Sequence, residues 1–503
     1  MHPRRRRTQL TFLIVFLLAG LLGQARAAPP GRTAQVRRQV QQVGLRTAAV
    51  NPDFVRRHRS DYAVEVPRSP ILDQKKSGRC WAFAWTKTIQ SMAQLKGRES
   101  GTLSASFINY HALRTLAHGA IDHVRRGKEK PKHHLYSLNA DMLGEGGYSH
   151  WANQIVKRHG IVPEDKMSSH TFDSRESSML QNQIHRLVTA ASRDLWQTSP
   201  GATKGRRAIA IKYKKQVDQL LDTMIGAPPK RFTVDGKTYT PRTYRQKFLK
   251  LADRDLEFIN LSHDPTRAFN RRYREAYEGK GIPENETYNV SMRTIQHAVK
   301  RSLRKGVAVN VAVNVDWDNP HRVAPRDSTA SDANGILSLK AFKYGKLVPT
   351  ARLTKRERME HGVSMSNHMM AITGFQPPSR GRQARWKIDN SHGTNSFRGG
   401  RFDMYDDFFR HYVEEVTVPR GLMPKWLVQQ LEAKPARDAI AGMSFPPSKG
   451  GDRWTPKRRN GLVQALIREE FSVSEAAKRY KLPAKRIQQW YDTANKAMMK
   501  ALR

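Results

Sequence analysis

Apolar residues at Trp81, Phe83, Ala84, Ile89, Met92 and Leu95 recur at helical spacing, so the chain from Cys80 to about Lys96 reads as a helix. The same spacing marks helices over Ser104–Ala117 and Tyr148–His159, and residues 165–250 are polar, basic and mostly helical in pattern. Then the period changes. Val307, Val309, Val311, Val313, Val315 and Trp317 alternate with Ala308, Asn310, Ala312, Asn314 and Asp316, which is the period of a strand. Asn367–Phe375 forms a second apolar strand, and Trp386 and Ile388 alternate with Lys387 and Asp389 in a third. Helices first and strands later imply an α+β fold with the two kinds of element segregated. That order puts Cys80 on a helix and His368 on a sheet, with a cleft between them as the place where they can meet.

The pattern breaks at about 433–451, a Pro-, Gly- and Ala-rich stretch that reads as a linker. Past it, Ser472-Val-Ser-Glu475 is a capping box opening a short helix. Lys481-Leu482-Pro483 reads as a turn, and Ala484–Leu502 as a second helix. With Trp454–Phe471 as a first helix, residues 452–503 form a helix-turn-helix-like module, with thirteen basic against five acidic side chains. The alternative is a plain helical bundle that binds protein or caps the body.

Charge changes the picture of partners. The chain carries 89 Lys and Arg against 44 Asp and Glu, a formal +45 over 503 residues. Such an excess suits an anionic partner, nucleic acid or another acidic polymer. At the start, Arg4–Arg7, the apolar run Leu10–Leu22 and Ala25-Arg26-Ala27 have the order of a cleavable export signal over residues 1–27. An uncleaved anchor is the alternative; after cleavage no segment is apolar enough to span a bilayer. The implied location is periplasmic or extracellular. Residues 28–60, rich in Arg, Gln and Val, read as an exposed basic leader, with the body of the protein running from 61 to 432.

Cys80 is the chain's single cysteine, which excludes an internal disulfide and cysteine-rich zinc sites. His-Glu-x-x-His is absent too, and neither a metal nor a cofactor is expected. A lone cysteine is ordinarily a small buried hydrophobe. Cys80, however, follows the turn Ser77-Gly78 and opens a helix, where the positive end of the helix dipole favours thiolate. Gln74, six residues earlier, can fold back beside the Cys80 backbone N–H and offer a second donor to an oxyanion. A thiolate needs a base. His368 lies in an apolar strand, and Asn390, at the end of the Trp386–Ile388 strand, can bond the imidazole and fix its tautomer.

These residues in this order resemble the papain superfamily: Gln74, then Cys80-Trp81-Ala-Phe83, then Asn367-His368, then Asn390-Ser391-His392-Gly393. Ser77-Gly78-Arg79-Cys80-Trp81 is closer to the bleomycin hydrolase/aminopeptidase C family than to cathepsins, and Tyr239-Thr240-Pro241, Asp255–Asn260 and Tyr288–Trp317 are similar to that family as well. The resemblance implies a papain-like fold with a helical and a β-sheet lobe. It implies Cys80 as nucleophile, His368 as general base, Asn390 as the residue orienting it, and Gln74 with the Cys80 amide as oxyanion hole. Gly146 and Gly147 resemble the pair whose bare backbone binds an extended peptide substrate. Hexameric rings with a nucleic-acid-binding channel are a further implication.

Two positions depart from the family pattern. Its usual Trp two residues after the Asn is His392 here, which implies a wetter Asn–His bond and lower activity. The family's C-terminal tail, whose free end binds the substrate's amino group, corresponds to about Ala433–Phe445, where this chain continues. The expectation is an exported, aminopeptidase-like cysteine peptidase acting through an acyl-thioester. Its alternative is a catalytically weakened peptidase scaffold that binds nucleic acid or another anionic polymer.

Overall fold

A computed structural model describes residues 31–127, 144–169, 174–275, 285–315, 333–432, 462–463 and 473–501, apart from single positions 68, 352, 364, 365, 380, 397 and 481. The expected export signal, the linker 433–451 and most of the helix Trp454–Phe471 lie outside these residues.

The helix Cys80–Leu95 is the axis of the molecule. All of Trp81–Ala93 is buried, so the stretch is enclosed on every side rather than amphipathic. One side packs against helices Ala105–Arg126 and Ser149–His159, with Ser174–Gln197 and Thr203–Met224 beyond them in the same helical core. The other faces the sheet. Its polar side chains are satisfied there or within the helix. Thr88 Oγ1 bonds Asn310 Oδ1 at 3.0 Å, and Ser91 Oγ accepts the Ala308 N–H at 3.0 Å.

The main sheet runs, in spatial order, Arg271–Glu275, Asn285–Asn289, Phe258–Ser262, Val413–Pro419, Val309–Val313, His368–Gln376, Arg385–Asp389, Arg401–Tyr405 and Ile336–Leu337, with Val64–Glu65 pairing on His368–Gln376. Its pairings are antiparallel except for Phe258–Ser262 with Asn285–Asn289 and Arg401–Tyr405 with Ile336–Leu337. The second core, around Val309, Val311, Val313, Ile372, Trp386 and Phe409, lies on the far side of this sheet. Helices and strands are thus segregated, as the α+β reading expects. The alternating run from Val307 is a strand over Val309–Val313, and its Asn310 is as buried as its valines because the Cys80 helix covers that face.

One region holds more than its pattern showed, and one expectation needs correction. Residues 165–250 contain, besides their two long helices, a hairpin of Phe232–Val234 and Lys237–Tyr239. Its turn is Asp235-Gly236, both at positive φ, the two-residue geometry that Asp-Gly favours. The leader is not wholly exposed either. Helix Arg32–Ala48 has a mostly exposed surface, but Ala49 and Val55 are buried against Ile336, Phe342 and Tyr405. His58 is buried too, its Nε2 2.9 Å from Asp403 Oδ2 and its Nδ1 2.9 Å from the Tyr405 hydroxyl. The packed body therefore begins near Ala49, not Asp61.

At the other end, helices Val473–Tyr480 and Ala484–Ala501 flank Leu482-Pro483 and share a small core of Leu462, Ala476, Tyr480 and Ile487. Among the described residues no helix is long and apolar enough to cross a membrane.

Candidate active site

Cys80 is the first residue of its helix and is only partly exposed. The turn before it is rigid for a local reason. Ser77 Oγ donates to the Gln74 carbonyl at 2.6 Å, and the buried Arg79 donates from Nε to Ser77 Oγ at 2.9 Å and from a terminal nitrogen to Ser106 Oγ at 3.1 Å. The approach to this turn is tied to the same helix, since the buried Lys87 ammonium donates to Ser69 Oγ at 3.0 Å and to the Pro70 carbonyl. Burial pulls the Lys87 pKa down to about 8, partly offset by Asp389.

His368 opens the strand His368–Gln376, between Val309–Val313 and Arg385–Asp389, paired with Val313. Its ring reaches the Cys80 thiol. Burial raises the thiol pKa, but the His368 hydrogen bond and charge outweigh it, and the backbone N–H groups of Met369 and Trp81 add to the lowering. The net shift is downward, toward thiolate. His368 Nε2 lies 2.7 Å from Asn390 Oδ1. With Nε2 committed to the amide, Nδ1 is the nitrogen left for sulfur.

Asn390 follows the strand Arg385–Asp389 and is 3% exposed. Its own N–H donates to the Gly400 carbonyl at 3.1 Å, which holds it beyond the strand end and turned back over His368. The next residue, Ser391, joins the two halves of the site. Its carbonyl accepts the Gln74 N–H at 2.7 Å, and its hydroxyl donates to Gln74 Oε1. That fixes which end of the Gln74 amide is which. Nε2 donates to the Ser77 carbonyl at 2.6 Å, which ties the side chain to the turn before Cys80. The Ser391 role was not foreseen; its only sequence signal is its place directly after Asn390.

Gly146 and Gly147 have separate reasons to be glycine. A Cβ on Gly147 would lie 2.3 Å from the Trp81 ring, which is fully buried and stacked on Trp151 at 5.2 Å. A Cβ on Gly146 would meet nothing within 4 Å, so Gly146 faces open space beside the Cys80 turn. Glu145 secures the loop: its carbonyl accepts the Trp81 indole N–H at 2.8 Å and its carboxylate the Gly78 N–H at 2.8 Å. Close packing therefore explains Gly147, and an open backbone suited to an extended peptide belongs to Gly146.

His392 stands beyond Asn390, its Nδ1 2.9 Å from Asn390 Nδ2 and its ring 5.4 Å from that of His368. No group of three metal-ligating side chains occurs among the described residues. The arrangement brings together a thiol, an imidazole and a buried amide, with the Gln74 side chain tied to the same turn.

The profile of the Peptidase C1-like family matches residues 25–440. Aminopeptidase W of Lactobacillus delbrueckii subsp. lactis is 25% identical over 426 residues, covering 80% of this chain and 92% of its own. Aminopeptidase C of Listeria monocytogenes is 24% identical over 412 residues, covering 78% and 89%. "Cysteine proteinase 1, mitochondrial" of Saccharomyces cerevisiae is 23% identical over 395 residues, covering 73% and 78%. In fold, the chain is similar to the crystal structure of pepw from Lactobacillus rhamnosis HN001, with a TM-score of 0.68 at 21% identity over 86% of this chain and 95% of that one.

Proposed function

We propose, since the chain belongs to the Peptidase C1-like family and is a papain-like cysteine peptidase, that it hydrolyses peptides through Cys80, His368 and Asn390. The observation that carries this reading is the Cys80 thiol hydrogen-bonded to an imidazole that a buried amide holds at 2.7 Å. The Cys80 thiolate attacks the peptide carbonyl. Gln74 Nε2 and the Cys80 N–H take up the charge on its oxygen. His368, doubly protonated in the ion pair, gives its Nδ1 proton to the leaving amine, and the acyl-thioester is hydrolysed by water that His368 deprotonates. Asn390 keeps the Nε2 proton of His368 in place throughout. The extended substrate lies along Gly146.

The reading includes amino-terminal specificity, supported by relatives named aminopeptidases. It is tested with peptide amides carrying free or acetylated amino termini; equal turnover of both removes the aminopeptidase part and leaves the peptidase. The thiolate itself is tested by alkylation. Cys80 is the single cysteine, so iodoacetamide incorporation reports it alone. It should react at pH 6 at about a quarter or more of its pH 8 rate, whereas an ordinary thiol, with a pKa of about 8.5, loses roughly two orders of magnitude there. Ordinary thiol behaviour would remove the proposal.

Export through residues 1–27 is also proposed, on the Arg4–Arg7, Leu10–Leu22 and Ala25–Ala27 pattern. An unprocessed amino terminus on protein confined to the cytoplasm would refute it.

A further inference from the structure

The Asn390 amide stands between two imidazoles, and an amide has one accepting end and one donating end. Its Oδ1 is 2.7 Å from His368 Nε2, and its Nδ2 is 2.9 Å from His392 Nδ1. The thiolate–imidazolium pair requires a proton on both nitrogens of His368, so Nε2 must donate and Oδ1 must face it. That leaves the NH2 group aimed at His392. Its partner Nδ1 must then present a lone pair, which makes His392 neutral and protonated on Nε2. We propose that neutral His392 is a positioning residue: its Nδ1 lone pair keeps the Asn390 amide in the one orientation that lets His368 be an imidazolium, so charging His392 disarms Cys80.

The consequence follows from counting protons. A charged His392 sets an N–H against an N–H. The amide can satisfy it only by rotating half a turn, which brings its NH2 group to His368 Nε2. That nitrogen must then accept, His368 can no longer hold two protons, and the sulfur retains its own. The two rings, 5.4 Å apart, would also be like charges.

Charged groups around His392 set the balance. Asp73 faces it across an isolated antiparallel bridge, and Gly393 packs on the Asp73 side chain. Lys75 Nζ pairs with that carboxylate at 3.0 Å, drawing part of its field away. Burial acts against ionisation of Asp73, but its hydrogen bonds and ion pair with Lys75 hold its pKa below the ordinary value, so it stays an anion. The Asp73–Lys75 loop thus favours a charged His392, and His368 with Cys80 opposes one. A Trp at this position shields the bond but cannot switch it. Here the shield is replaced by an imidazole, a side chain that can take up a proton.

This inference rests on the peptidase reading, and its test separates the two. Alkylation of Cys80 by iodoacetamide is measured from pH 4 to 8 in the full chain as wild type, His392→Trp and His392→Gln, each normalised to its own plateau. For a switch titrating at the ordinary imidazole value of about 6.5, wild-type reactivity at pH 5.5 is roughly a tenth of plateau. Both variants should carry their acid limb lower by about a unit or more, since neither Trp nor Gln charges. Before normalisation, His392→Gln, whose side-chain carbonyl can accept from Asn390 Nδ2, should also show a higher plateau than a further variant, His392→Leu, which offers no acceptor. Superimposed acid limbs in all proteins, with a thiolate still present at pH 6–7, overturn the switch and spare the peptidase reading. A Cys80 that behaves as an ordinary thiol overturns both. Should the variants fail to fold, imidazole 15N spectra of the unmutated protein decide: the Nε2–H tautomer of His392 at pH 7.5 supports the inference, and Nδ1–H ends it.

Discussion

Replacing Cys80 with alanine should abolish peptide hydrolysis, with kcat falling by on the order of 10⁶. The expected loss is that large because the site's parts act as a unit. The imidazole of His368 is held by Asn390 at a position that serves sulfur. An alanine leaves a base and an oxyanion hole with nothing to attack through. Oxyanion donors and substrate binding alone sustain only about 10³ to 10⁴ over water. Cys80 is only partly exposed at the helix start, and removing one sulfur there should leave the fold intact. The measurement is hydrolysis of a peptide panel by both proteins, with thermal unfolding as the control for folding. Equal rates in the two proteins, at unchanged unfolding temperature, would falsify the assignment of the nucleophile.

The second large effect is expected at Gln74. Gln74→Ala should lower kcat by about 10² to 10³ with KM little changed, because the lost donor acts on charge that develops only in the transition state. The same substitution strips a buried acceptor from Ser391 Oγ and a donor from the Ser77 carbonyl, so stability should also fall, by about 1–3 kcal/mol. The two losses are separable. Ser391→Ala leaves the Gln74 side chain in place but removes what fixes the polarity of its amide, and it should cost activity by a smaller factor. A Gln74→Ala enzyme with undiminished kcat would remove this residue from the oxyanion hole.

Local chemistry made much of this legible in the chain. The helix at Cys80, the strand at His368 and the strand before Asn390 follow from period and composition, which act over a few residues. Three features lay beyond it for a common reason. The hairpin about Asp235-Gly236 lies inside a basic stretch whose composition suits helices, and its two-residue turn is a slight signal beside that. Residues Ala49–His58 read as a polar leader because His58 and Asn51 are not apolar. They are buried because Asp403, Tyr405 and the Lys340 carbonyl happen to meet them. The Cys80 helix carries Thr86, Thr88 and Ser91 among its apolar positions; Thr86 bonds the Phe83 carbonyl within the helix, and the sheet side meets Thr88 and Ser91.

By itself, then, the sequence determined which side chains are available and on what local element each sits: one sulfur at a helix start, an imidazole at a strand start, an amide at a strand end. Tertiary structure decided their protonation and polarity. The Asn390 amide could face either way in isolation; His368 on one side and His392 on the other give it a direction. Gly146 and Gly147 are identical in sequence, and only the Trp81 ring distinguishes them. The physical reason is range: backbone preference acts between near neighbours, whereas hydrogen-bond complementarity and desolvation depend on whatever the fold brings within a few ångströms.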